Sequence, residues 1–74
     1  MIESLDKGIS LHLSGQLDKA KKIYENIIQS ETSNFQAIHL LGVIFFQKKN
    51  YSKSIELIKN SININPKNFT AYNN

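Results

Sequence analysis

The sequence predicts an all-α fold in which about four helices form two tandem helical hairpins. Three observations lead to this prediction. The chain matches itself after a shift of 34 positions, its apolar residues recur at helical spacing, and glycine, asparagine and proline stand where helices should end. The predicted units are unit one (1–34), unit two (35–68) and the start of a third, truncated unit (69–74).

One shift aligns identical residues along the whole chain. Gly8 pairs with Gly42, 34 positions later, and Asn34-Phe35 pairs with Asn68-Phe69. The same offset also pairs Lys19 with Lys53, Asn26 with Asn60, Ile28 with Ile62 and Ala37 with Ala71. Chance rarely produces so many matches at one offset, so the chain contains a structural repeat.

Unit one reads as two helices. The first contains Leu5, Gly8, Ile9 and Leu11 and ends at Gly15. The second has an apolar stripe at helical spacing, formed by Ala20, Ile23, Tyr24, Ile27 and Ile28.

Unit two repeats this plan. Its first helix has the stripe Ile38, Leu41 and Phe45, with Ala37, Leu40 and Ile44 beside it, and its second has Ile55, Ile58 and Ile62, with Leu57 beside it. The break falls at Lys49-Asn50, and we expect asparagine to supply the left-handed conformation there. Pro66 should end the second helix because it excludes the preceding residue from the α region. Asn34 and Asn68 are predicted N-caps.

Two glycines stand inside predicted helices. Gly8 and Gly42 occupy the same repeat position, although glycine in a helix interior costs about 1 kcal/mol relative to alanine. This recurrence indicates that a partner helix approaches closely at both glycines. Ala20 and Ser54, small residues on the second helices, are the predicted counterparts.

The motif Ile38-x-x-Leu41-Gly42-x-x-Phe45, followed by Ser54-x-x-x-Ile58 and Pro66, resembles the tetratricopeptide repeat. Unit one matches it with Ala20-x-x-x-Tyr24 but departs at Lys7 and Thr32, as a terminal repeat would. The resemblance implies a short right-handed α-solenoid segment. Leu11-His12 and Gly15, with His39-Leu40-Leu41-Gly42-Val43, are similar to the first repeats of bacterial proteins in which such arrays precede a glycosyltransferase domain.

The resemblance also implies a ligand groove along the first helix of each unit. Its positions are Ile2, Leu5, Ile9, His12 and Leu13 in unit one, and Gln36, His39, Val43, Phe46 and Gln47 in unit two. Ile9 and Val43 depart from the polar residues with which relatives clamp a carboxylate, so we expect an apolar helix or extended peptide instead. The alternative is that Leu5 and Ile9 simply belong to the core.

The second helix of unit two predicts a self-association surface. Its candidate residues are Ile55, Ile58, Ile62, Ile64, Phe69 and Tyr72. Repeat arrays need polar caps, and exposed apolar patches recruit partners. We therefore expect a homo-oligomer that forms through this uncapped C-terminal end.

Composition argues against other functions. The net charge is +3, but the nine basic residues are all lysines and are spread along the chain, which favours a solvated face over nucleic-acid binding. His12 and His39 occupy different repeat positions, separated by about 10 Å of helical rise. No carboxylate pair or nucleophile–base set accompanies them, so we expect no catalysis, no metal and no cofactor.

Location and context follow from similar arguments. The sequence has no apolar stretch of about 18 residues, so we expect no membrane partner. It has no cysteine and no export signal, which favours the cytoplasm. The leading functional prediction is a protein–protein interaction scaffold, and the alternative is the substrate-selecting N-terminal arm of a larger enzyme such as a glycosyltransferase.

Overall fold

The computed structural model describes residues 4–66, which form four consecutive α-helices. These are α1 (Leu5–Leu13), α2 (Leu17–Ser30), α3 (Phe35–Gln47) and α4 (Tyr51–Ile64). α1 packs with α2, α3 packs with α4, and α3 also packs on α2. The all-α prediction is confirmed. The predictions that concern Ile2, Asn68, Phe69, Tyr72 and the third unit (69–74) lie outside the described residues.

Side-chain caps begin three of the helices. The Asn34 side chain accepts a hydrogen bond from the Ala37 amide at 3.1 Å, which confirms the predicted N-cap of α3. Asn50 caps α4 in the same way through the Lys53 amide. Ser4 caps α1. Each cap satisfies an amide that the first helical turn leaves without a carbonyl partner.

The turns inside the two hairpins have the same backbone geometry. Gly15 ends α1 at a φ of 85°, as predicted. The break between α3 and α4 falls at Lys49-Asn50, as predicted, but the left-handed residue is not the asparagine. Lys49 has a φ of 67°, whereas Asn50 has a φ of −93°. Lys49 lies 34 positions after Gly15 and closes the same turn, in which its amide donates to the Phe46 carbonyl at 2.9 Å. The asparagine side chain is used for capping instead.

The core lies where α2 meets α3. One buried cluster joins Ala20 and Tyr24 of α2 to Leu41 and Ile44 of α3. A second joins Ile23 and Ile27 to Ala37. All seven residues belong to the predicted apolar positions, so periodicity located the core correctly.

The two helix-interior glycines allow the close approach that the sequence predicted. A Cβ on Gly8 would lie 2.7 Å from a ring carbon of Tyr24. A Cβ on Gly42 would lie 2.9 Å from Ile58 Cγ1 and 3.3 Å from the Ser54 carbonyl oxygen. Neither glycine therefore has room for a side chain unless the neighbouring atoms of the second helix move.

α4 buries a partly polar face. Ser54 and Ser61 are fully buried, with Leu57 and Ile58 half-buried beside them. Ile55 and Ile62, at the two ends of the predicted stripe, are 54% and 36% exposed. α4 ends at Ile64, before the extended residue Asn65, as the following proline predicted.

Candidate protein-binding surface

A chain of hydrogen bonds through His12 connects both units. His12 is at the C-terminal end of α1, where its Nε2 lies 2.6 Å from Gln47 Oε1 at the end of α3. Its Nδ1 lies 3.1 Å from the hydroxyl oxygen of Tyr24 in α2. The structure thus brings together His12 and Gln47, two predicted groove residues that are 35 positions apart in the sequence.

The direction of these hydrogen bonds follows from the chemistry of the groups. An amide oxygen only accepts, so the His12 Nε2–H donates to Gln47. In the tautomer that carries its proton on Nε2, the Nδ1 atom accepts a hydrogen bond from the Tyr24 hydroxyl. Burial raises the pKa of Tyr24 above its ordinary value of 10, in agreement with a hydroxyl that carries its proton and donates it. Tyr24, His12 and Gln47 therefore form a chain of hydrogen bonds from the core to the surface, in which each side chain donates to the next.

An ion pair provides a second link between the units. Lys48, at the C-cap of α3, donates a hydrogen bond to Asp18 in the first turn of α2. The Lys48 ammonium holds the pKa of Asp18 below its ordinary value, mainly through this hydrogen bond. Both side chains are exposed, and exposed ion pairs contribute little to stability.

Phe46 is the most prominent aromatic residue on the predicted groove. Its side chain is 58% exposed and contacts Tyr51, which is 49% exposed, edge to face at a ring-centroid distance of 5.3 Å. Tyr51 was missed by the sequence analysis, because it belongs to α4 and not to a first helix. The one sequence feature that could have indicated a place for Tyr51 beside Phe46 is its position just after the turn that follows Phe46.

The remaining groove candidates differ in exposure. Gln36 and Gln47 are exposed, Ile9, Val43 and His39 are half-buried, and Leu13 is 84% exposed. Burial lowers the pKa of His39 below its ordinary value, so this position is uncharged near neutral pH. Leu5 packs against both buried clusters, which favours a role in the core rather than in the ligand groove.

Two other features of the described residues bear on chemistry. Within residues 4–66, no three side chains of the types that bind metals lie close enough together to hold an ion. None of the four helices combines the length and the apolar character needed to cross a bilayer.

Tandem hairpins that pack through small residues define a helical-repeat fold. A comparison with known protein families agrees with this helical-repeat class. Residues 35–68 match the family model described as Tetratricopeptide repeat, so the second hairpin resembles this repeat.

Two curated proteins are similar to this chain. "BBSome complex member BBS4" from Bos taurus is 32% identical over 59 residues, which cover 80% of this chain. "Tetratricopeptide repeat protein 21B" from Xenopus laevis is 29% identical over 77 aligned residues, which cover 96% of this chain. The chain spans only 11% and 6% of these two relatives. No solved structure matches significantly.

Proposed function

We propose that this chain is a tetratricopeptide-type interaction module that binds an apolar peptide or partner helix across α1 and α3. The observation that carries the proposal is the hydrogen bond between His12 and Gln47. This bond joins the ends of α1 and α3, and it supports a binding surface that includes groove positions of both units. Helical-repeat proteins bind partners on the surface that successive units form together.

The chemistry of this surface favours an apolar ligand. Phe46 and Tyr51 offer a pair of exposed aromatic rings, and large aromatic side chains dominate the binding energy of many interfaces. Ile9 and Val43 add half-buried apolar area. His39 adds no charge near neutral pH, because burial lowers its pKa. Hydrogen bonds from the exposed amides of Gln36 and Gln47 would orient the ligand.

A displayed peptide library tests the groove. Peptides selected on the wild type are measured against the double variant Val43→Asp/Phe46→Asp. We expect a loss of affinity of at least about tenfold, since each carboxylate would have to be desolvated against an apolar ligand.

A matched control separates the groove from a general effect of charge. Asn26→Asp/Ser52→Asp adds the same two charges at exposed positions of α2 and α4. Affinity should be retained in this control. If both double variants lose affinity equally, or neither does, the placement of the groove on α1 and α3 is wrong.

The alternative function is a substrate-selecting arm of a larger enzyme. It draws on the similarity of the stretch His39-Leu40-Leu41-Gly42-Val43 to arrays that precede bacterial glycosyltransferase domains. Neither of the two relatives is named as a glycosyltransferase. A catalytic α/β region encoded after Asn74 would favour this alternative over the independent interaction module.

Two further parts of the proposal concern assembly and location. We propose self-association through α4, where Ile55, Ile62 and Ile64 are exposed. We also propose a cytoplasmic location, which the lack of cysteine supports. Nucleic acid is not a proposed partner, because the sequence has no arginine to grip phosphates in pairs of hydrogen bonds.

A further inference from the structure

A groove between α1 and α2 lies apart from the surface proposed for an apolar ligand. Its volume is about 530 Å³. The apolar part of its lining is Leu11, which is half-buried, and Ile23, which is buried. The polar part is exposed and consists of Lys7, Asp18, Lys19, Lys22 and Asn26. We call it the α1–α2 groove, and its described lining includes none of the candidate ligand residues of α1 and α3.

The repeat places an equivalent groove in unit two, between α3 and α4. Part of its lining stands 34 positions after residues that line the α1–α2 groove, and this part is Leu41, Phe45, Lys53 and Leu57. The rest of its lining belongs to α2 and consists of Lys22, Glu25, Asn26, Ile28 and Gln29. In unit two, a neighbouring helix therefore forms the third side of this groove.

α2 shows what kind of element fits such a groove. Its Ile28 packs against the buried cluster that contains Leu41, and its exposed Glu25 lines the same groove as Lys53. The covering helix thus brings an apolar side chain to the core and a carboxylate to the side of the groove that has the lysine. The lining of the α1–α2 groove, by contrast, comes from α1 and α2 alone within residues 4–66, so its third side is open there.

Charge distinguishes the open groove from the covered one. In unit two, Lys53 pairs with Glu56 at a distance of 3.3 Å. The residues of unit one at these two positions are Lys19 and Lys22, so a lysine stands where unit two has the glutamate. Neither of these lysines forms an ion pair within residues 4–66, and Asp18 already pairs with the lysine at the C-cap of α3. The α1–α2 groove therefore has an excess of positive charge.

We propose that the α1–α2 groove binds an acidic amphipathic helix of a partner protein. Aliphatic side chains on one face of that helix lie against Leu11 and Ile23, as Ile28 of α2 packs in unit two. Glutamate or aspartate residues beside that face place their carboxylates next to Lys19 and Lys22. These two lysines are neighbours on α2, three positions apart, so neutralisation by the partner also relieves their mutual repulsion.

The apolar lining favours a helix over a simple polyanion. A nucleic acid brings phosphates for the lysines but no aliphatic side chains for Leu11 and Ile23. A helix that has both groups buries apolar area and satisfies the charges in the same contact. The way in which α2 packs in unit two favours a helix over an extended peptide.

A synthetic peptide with a hydrocarbon staple provides the probe, because isolated helices of about 12 to 15 residues are marginal in water. It matches the 14 residues of α2 in length, with leucines at intervals of three and four positions and glutamates beside them. Its binding to the whole chain is followed by fluorescence anisotropy up to about 1 mM chain. We expect saturable binding, and an affinity at least about tenfold lower when glutamines replace the glutamates or serines replace the leucines.

Two double variants of the chain locate the site. Lys19→Glu/Lys22→Glu should bind the acidic peptide at least about tenfold more weakly, because like charges would meet. The same variant should bind a peptide with lysines in place of the glutamates more tightly than the wild type does. Lys53→Glu/Lys59→Glu makes the same change of charge at exposed positions of α4 and should retain affinity for the acidic peptide at physiological ionic strength, where charges beyond about 8 Å are screened. Helical circular dichroism of both variants confirms that they are folded.

Three results would overturn the inference. The first is a wild type that does not bind the acidic peptide at about 1 mM chain. The second is an equal loss of affinity in the two double variants, which would mean that net charge and not the groove attracts the peptide. The third is binding of single-stranded DNA, or of the serine-substituted peptide, as tight as that of the acidic peptide, which would mean a general surface for polyanions.

Discussion

At the residue scale, Gly15 and Lys49 show how one backbone turn accommodates two different side chains. Both residues have a positive φ and end the first helix of their unit. Glycine adopts this conformation without steric penalty, whereas an L-residue with a side chain is strained by about 1 to 2 kcal/mol. The turn in unit two is retained because its amides donate to the carbonyls of Phe45 and Phe46.

Replacement of Lys49 by glycine should therefore stabilise the chain. We expect Lys49→Gly to raise the free energy of unfolding by about 0.5 to 1 kcal/mol, since relief of the strain exceeds the added entropy of the unfolded chain. Urea denaturation followed by circular dichroism measures this change. Gly15→Ala is the matched control and should destabilise by a similar amount. A destabilised Lys49→Gly variant would show that the lysine side chain has a stabilising role.

Ser54 is a second residue at which the two units differ. It is buried at the position of Ala20, and its hydroxyl has no hydrogen-bond partner among the described residues. Ser61 is equally buried, but its hydroxyl donates to the Ile58 carbonyl at 2.9 Å. One serine thus leaves a desolvated polar group unsatisfied, and the other does not.

We expect Ser54→Ala to raise the free energy of unfolding by about 1 kcal/mol, because it removes the unsatisfied hydroxyl and favours the helix. Ser61→Ala should change stability by less than about 0.5 kcal/mol, because a satisfied hydrogen bond is lost as the helix propensity improves. Thermal denaturation of both variants provides the comparison. Equal effects of the two substitutions would contradict this account of Ser54.

At the element scale, the docking of α1 beside α3 depends on side chains near their C-terminal ends. His12 donates to Gln47 and accepts from the buried Tyr24 hydroxyl. α3 itself packs on α2. The hydrogen bonds of His12 thus link the two helices that carry the proposed groove.

A double-mutant cycle measures this link. We expect His12→Ala and Gln47→Ala to be coupled by about 0.5 to 1.5 kcal/mol, the usual net contribution of one hydrogen bond. The control cycle pairs His12→Ala with Gln36→Ala, at the opposite end of α3, and should be additive within about 0.5 kcal/mol. Additivity of the first pair would show that the bond between His12 and Gln47 does not stabilise the fold.

At the scale of the whole molecule, the sequence predicted what depends on local periodicity. The four helices, the core residues of α2 and α3, and the close contacts of Gly8 and Gly42 all follow from the 34-residue repeat. The hydrogen bond between His12 and Gln47 could not be predicted from the repeat. It joins residues that are 35 positions apart, and it depends on how one hairpin packs on the other. The left-handed Lys49 was missed because residue preference favoured Asn50, while the repeat offset from Gly15 pointed to the lysine.

His39 makes the stability of the whole fold dependent on pH. Burial lowers its pKa below the ordinary value of 6.5, so between these two values the unfolded chain binds more protons than the folded chain. The free energy of unfolding should therefore decrease as the pH falls below about 6.5, and it should stop depending on His39 below the folded-state pKa. Asp18 acts in a different window, because Lys48 lowers its pKa below 3.8 and its contribution is lost only in stronger acid.

Urea denaturation at several values between about pH 7.5 and pH 5 tests the role of His39. We expect His39→Gln to reduce the loss of stability over this range, because glutamine does not titrate and has no proton to gain on unfolding. Asp18→Asn is the control and should leave the dependence near pH 6 unchanged, since its carboxylate is ionised in both states there. If the pH dependence of His39→Gln equals that of the wild type, burial of His39 is not what weakens the fold in mild acid.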